Sequence, residues 1–116
     1  MSEKREAQKG AVTPNDILQF GEVRVDRETG VVTRADMTER LTCKELQLLV
    51  ALICHEGRVV SREDLYNEVW GSGYLGNTRT VDVHVKELRR KLGRDDVILT
   101  VYRKGYCLGY GRNKAE

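Results

Sequence analysis

The chain has 116 residues, 40% hydrophobic and 33% charged, with three cysteines and a net charge of +2, which suits one domain around a single modest core. No apolar run approaches the roughly 18 residues of a membrane-spanning helix, and MSEKREAQKG at the start lacks the apolar stretch of a secretory signal. Cys43, Cys54 and Cys107 are widely spaced and form no metal-ligand cluster, which argues against zinc and leaves three free thiols expected to be buried or half-buried in a cytoplasmic protein.

Residues 1–15 read as a solvated tail or linker remnant, and 112–116 as a second tail, bracketing one domain over 16–111. From 17 to 41 the segments ILQFG, EVRVD, GVVTR and ERLT are rich in Val, Ile and Thr, with RETG as a turn. Val23 and Val25 alternate with Arg24 and Asp26 as in a half-buried strand, so three or four short antiparallel strands are expected.

At Thr42 the period changes. T-C-K-E has the form of a capping box, in which Thr42 and Glu45 satisfy each other's backbone N–H. Leu46, Leu49, Val50 and Ile53 follow at helical spacing and Gly57 lies where a cap belongs, which predicts a helix over 43–55. His55 is expected to meet the helix dipole or solvent. Arg58-Val59-Val60 is long enough only for a bridging strand. Ser61 then caps a second helix whose first turn holds Glu63 and Asp64, and whose apolar side carries Leu65, Val69 and Trp70. Three glycines within 71–77 end it.

The segment RTVDVHVKELRRKLG, 79–93, begins with a strand-like alternation but is better placed on a helix. At 100° per residue Val81, Val85, Leu88 and Leu92 fall within about 60° of one another, forming a core stripe. Arg79, Val83, Lys86 and Arg90 oppose it, with Asp82, Glu87 and Arg89 on the flanks. Cationic charge is concentrated here. Residues 1–76 hold 10 Lys/Arg and 13 Asp/Glu, a net of −3, whereas 77–116 hold 10 and 5, a net of +5. Such concentration is a nucleic-acid footprint, or else a solvated basic face. Val83 favours the first, because a valine among exposed charges suits a thymine methyl better than water. Finally, VILTVYRKGYCLGYG, 97–111, gives two strands around Arg103-Lys104-Gly105, a hairpin with a cationic tip.

Helix, bridge, helix, loop, basic helix and hairpin in that order make a winged helix-turn-helix, an α+β fold whose third helix can enter the major groove of double-stranded DNA. The residues also resemble a family, the DNA-binding effector domains of OmpR/PhoB-type bacterial response regulators. LTCKELQLLVAL, GRVVSREDLYNEVWG, RTVDVHVKELRRKLG and TVYRKGYCL stand in that family's order and spacing over roughly residues 16–110. The resemblance implies an N-terminal four-stranded antiparallel sheet, a three-helix core and a C-terminal hairpin wing. Its function would be sequence-specific DNA binding in transcriptional regulation.

Site roles follow from the resemblance by position. Arg79 and Thr80 match phosphate contacts at the start of the recognition helix, and Arg89 another. Asp82, Val83, His84, Lys86, Glu87 and Arg90 face or border the groove, although His84 could equally pack at the core boundary. Trp70 matches a tryptophan that packs in the core and can also donate to phosphate. Thr100, Tyr102, Arg103, Lys104 and Tyr106 belong to the wing. Gly71, Ser72, Gly73, Tyr74 and Leu75 lie where some members touch RNA polymerase.

Two positions depart from the family. Glu87 stands where several relatives carry a basic base-reading residue. In the wing, usually T-V-R-G-x-G-Y, Tyr102 replaces the arginine and Arg103 the first glycine, so a minor-groove arginine is displaced by one residue or lost. No receiver domain precedes residue 16; one is expected in a full-length protein, together with tandem dimers on DNA. No membrane contact, cofactor, metal or catalytic constellation is implied. The rival to DNA readout is a protein-interaction module docking on polymerase or another regulator. RNA binding ranks third, because it usually needs stacking aromatics on a sheet.

Overall fold

The computed structural model describes residues 17–71 and 78–109. Four strands come first: β1 (Ile17–Phe20), β2 (Val23–Asp26), β3 (Val31–Arg34) and β4 (Met37–Arg40). They form an antiparallel meander in sequence order, with Phe20 opposite Val23 and Val25 opposite Val32. The alternation puts Phe20, Val23, Val25 and Val32 inside while Arg24 and Thr33 face out. The fourth strand begins and ends two residues before the expected ERLT, because Leu41 turns inward and Thr42 already caps the next helix.

Helix α1 (Cys43–Cys54) starts at the expected capping box, with Thr42 Oγ1 accepting from the Glu45 amide and Glu45 Oε1 from the Thr42 amide. Its buried face differs from expectation. Leu48, Leu49, Ala51 and Leu52 are buried, while Leu46, Val50 and Ile53 are only partly covered. The segment is apolar around most of its circumference, so spacing left several candidate stripes. The neighbours choose: this helix packs on both other helices and on the last strand. Cys43 and Cys54 are exposed and Cys107 half-exposed, all free. The first two thus correct the expected burial, since they open and close α1 on its outer side.

Helix α2 (Arg62–Trp70) is capped by Ser61, whose hydroxyl accepts from the Asp64 amide at 3.1 Å. His55 pairs with Glu68 at 2.7 Å, tying the end of α1 to α2. Helix α3 (Arg79–Leu92) buries the expected stripe completely, Val81, Val85, Leu88 and Leu92. Burying each such side chain stabilises the fold by roughly 1.5–3 kcal/mol. Gly93 ends the helix in the left-handed region at φ 73°, where the Arg34 side chain lies across it.

Strands β5 (Ile98–Val101) and β6 (Gly105–Leu108) make the hairpin. Val60 pairs with Tyr106 as the expected bridge, through hydrogen bonds of 2.8 and 3.0 Å. Only glycine fits at 105, since a Cβ there would stand 2.0 Å from the Val60 carbonyl oxygen. The architecture is the winged helix-turn-helix expected, with β3 against α3 and β6 against α1. Among the described residues no helix is long and apolar enough to cross a membrane.

Candidate nucleic-acid interface

Helix α3 is held on three sides and open on the fourth. Its core stripe faces α1 and α2. Along one flank, Arg89 donates from Nε and Nη2 to the Ile98 carbonyl (3.1 and 2.6 Å) and from Nη2 to Thr100 Oγ1 (2.9 Å). On the same flank Asp82 accepts from the Tyr106 hydroxyl at 2.7 Å and from Arg62 at 2.8 Å. These contacts bind the helix to the wing and to the start of α2.

The other flank binds the helix to the sheet and α1. Lys91 Nζ donates to Glu45 Oε1 at 2.8 Å and to the Arg40 carbonyl at 3.0 Å, and Arg34 Nε donates to the Lys91 carbonyl at 3.1 Å. Glu45 is only 4% exposed, and Lys91 and the Thr42 amide are its carboxylate's hydrogen-bond partners. His84 Nδ1–H donates to the Thr80 carbonyl at 2.8 Å, and its ring meets Trp70 edge-on, 4.8 Å between centroids. Trp70 in turn stacks on Tyr66.

The fourth side carries Arg79, Val83, Lys86 and Arg90, all exposed, with Val83 53% accessible. Among the described residues Arg79 and Lys86 have no hydrogen-bond or ion-pair partner. Thr78 precedes them without a side-chain capping bond, leaving the helix start open to an anion. Arg90 is engaged differently. It donates from Nε and Nη2 to Glu87 Oε1 (3.1 and 3.0 Å) and from Nη1 to Glu39 Oε2 (3.3 Å). The Arg90 hydrogen bond holds the Glu87 carboxyl below its usual range, and Glu87 raises Arg90 in return.

The wing tip presents Tyr102, Arg103 and Lys104 to solvent. Tyr102 is 78% exposed and supports no packing back onto the domain; instead the Arg103 guanidinium lies over its ring at 5.2 Å. Arg103 adopts φ 63°, in the left-handed region that favours glycine. A polar cleft of about 360 Å³ separates this tip from Ser61, Arg62 and Thr78, with Thr100 on its wall.

The expected site residues therefore divide. Arg79, Val83, Lys86 and Arg90 share one open face, with Glu87 at its edge and Thr80 half-buried at the helix start, while Arg103 and Lys104 stand at the tip. Tyr106 differs from the other wing residues: it is only 8% exposed and its hydroxyl donates to Asp82. Burial first, then Asp82, pushes its hydroxyl up to about 12. Both Asp82 oxygens, and Nε and Nη2 of Arg89, are likewise engaged within the domain. Gly71 is described and exposed; Ser72, Gly73, Tyr74 and Leu75 lie outside the described residues. Sequence reasoning missed Arg62 and Glu39. Neither has a local signal, since their partners lie 20 and 51 residues away.

Residues 36–108 match the family described as transcriptional regulatory protein, C terminal. Sensory transduction protein RegX3 of Mycobacterium tuberculosis is 43% identical over 96 residues, covering 79% of this chain and 42% of RegX3. The chain thus spans less than half the length of the curated relatives it matches. Among solved structures, the DNA-binding domain of CpxR from E. coli superposes with TM-score 0.64 at 32% identity, over 79% of this chain and 94% of that one. The Klebsiella pneumoniae RstA DNA-binding domain, solved in complex with the RstA box, gives TM-score 0.66 at 29% identity, over 80% and 96%. With the match to the family, the four-stranded sheet, the three helices and the hairpin in hand, the chain belongs to the OmpR/PhoB-type DNA-binding domains found at the C-termini of transcriptional regulatory proteins.

Proposed function

We propose that this output domain reads duplex DNA by laying the outer face of α3 in the major groove and resting the β5–β6 wing on the adjacent backbone or minor groove. The observation that carries this is one helix face where two cations without a partner among the described residues, Arg79 and Lys86, flank an exposed valine, on a helix pinned along its other sides. Rigid placement lets a few side chains test base edges. Val83 would meet a thymine methyl, and Glu87 would accept from an exocyclic amino group such as cytosine N4. Arg79, Thr80, the Trp70 indole and the open N-terminus of α3 would take phosphates. Arg89 and Asp82 act by holding the wing and helix in one geometry.

Arg103 and Lys104 at the tip suit phosphate or a narrow minor groove, whose negative potential draws arginine. As the output end of a cytoplasmic response regulator, the domain would answer to a receiver domain and bind as tandem pairs on half-sites about 10–11 base pairs apart. The loop 71–77 would be a polymerase contact. Selection of bound sites from a random DNA pool, with gel shifts over a salt series, tests the groove assignment. A recovered motif with salt-dependent affinity supports it, and absence of DNA affinity would leave protein docking as the better reading.

A further inference from the structure

Among the described residues, Arg90 is the one cation of the outer α3 face that an acidic residue of another element restrains. Its Nη1 donates to Glu39 on β4, while Nε and Nη2 converge on Oε1 of Glu87. That geometry has two consequences. The guanidinium is drawn toward the sheet side, away from the helix's outward axis. Oε2 of Glu87 is left without a partner among the described residues, as an acceptor with a fixed orientation.

From this arrangement we infer that Glu39 is a specificity-positioning residue, which acts through Arg90 to decide whether an acceptor or a donor faces the base pair at this end of the helix. The inference rests on the groove assignment above. With Glu39 in place, Arg90 is folded against two carboxylates and Glu87 Oε2 offers itself to an amino group, favouring cytosine on the read strand. Without Glu39, Arg90 loses its tether to the sheet. Its long, 55% exposed side chain can then swing out and present its fork to guanine O6 and N7. The same base pair would be read with opposite polarity. Glu39 never touches DNA in this scheme.

The magnitude is set by an exposed pair. Such pairs shift an equilibrium by about two- to fivefold, so a graded change of preference is expected and not a complete switch. Fold stability should hardly move, because neither Glu39 nor Arg90 belongs to the core.

The test is site selection from a random pool, followed by competition between single-base variants. It is run on the parent, Glu39→Gln, Glu39→Asp, Glu87→Gln, Arg90→Ala and the Glu39→Gln/Arg90→Ala double variant. Glu39→Gln is expected to move one base pair from cytosine toward guanine by about two- to fivefold at unchanged melting temperature. Glu39→Asp should keep more of the parent's preference, and in the Arg90→Ala background Glu39→Gln should add nothing. A parental profile for Glu39→Gln, alongside an altered one for Glu87→Gln, overturns the positioning role and spares the groove assignment. A further change in the Arg90→Ala background would show that Glu39 acts by another route and also overturns it. If Glu87→Gln and Arg90→Ala both keep the parental profile, the groove assignment fails at this end of the helix and the inference falls with it.

Discussion

The hydroxyl of Tyr106 in the wing donates to the Asp82 carboxylate on the recognition helix at 2.7 Å, across 24 residues of sequence. Arg62 at the start of α2 holds the other oxygen of the same carboxylate at 2.8 Å. The recognition helix, the wing and the start of α2 therefore share one part-buried polar junction, which ties helix to wing.

Tyr106→Phe should cost about 1 kcal/mol at neutral pH, the net worth of one such bond. The pH dependence carries a sign. Tyr106 titrates at about 12 in the folded state against 10.0 ordinarily, so the native chain holds that proton more tightly than the unfolded chain. Its contribution is complete below pH 10 and is lost as pH rises toward 12. Urea unfolding of parent and variant across that window should show their stability difference shrinking; a constant difference would contradict the assignment.

Lys91→Ala should destabilise the domain by about 3 kcal/mol, since it strands the buried Glu45 carboxylate. By contrast Lys86→Ala, five residues earlier on the open face, should leave the melting temperature within about a degree, as surface substitutions usually do. Thermal denaturation of the two variants side by side checks the division between the pinned and open sides of α3.

Arg103→Gly separates strain from function. A non-glycine residue at φ 63° costs about 1 kcal/mol, so glycine should raise stability. If the tip cation meets phosphate or the minor groove, the same change should weaken DNA binding severalfold at moderate salt, with a salt slope lower by about one unit. Denaturant midpoints and a binding isotherm measure the two effects. A variant that gains stability and binds as tightly as the parent makes Arg103 a bystander.

Elements with a single strong local signal were legible in the sequence. The Thr42–Glu45 capping box and the α3 core stripe each stand where the pattern put them. The buried face of α1 was not, because a helix apolar nearly all round has no unique periodic face until its neighbours choose one. The candidate site was legible as a list of residues on a helix and a hairpin. It was not legible as a division of labour, which depends on long-range partners. Spacing alone could not show that Tyr106 turns inward to Asp82, that Arg89 reaches the Ile98 carbonyl, or that Arg90 is tethered by Glu39.

The most direct measurement is the salt dependence of DNA affinity for the parent and the Arg79→Ala/Lys86→Ala double variant, on a duplex recovered by selection. Both side chains are exposed and partnerless among the described residues, so folding should be unaffected and any change belongs to binding. Where each cation meets a phosphate, the slope of log affinity against log salt should fall by about two units, with weaker binding at low salt. A double variant that is folded and matches the parent in slope and affinity would show that the outer face of α3 does not meet the DNA.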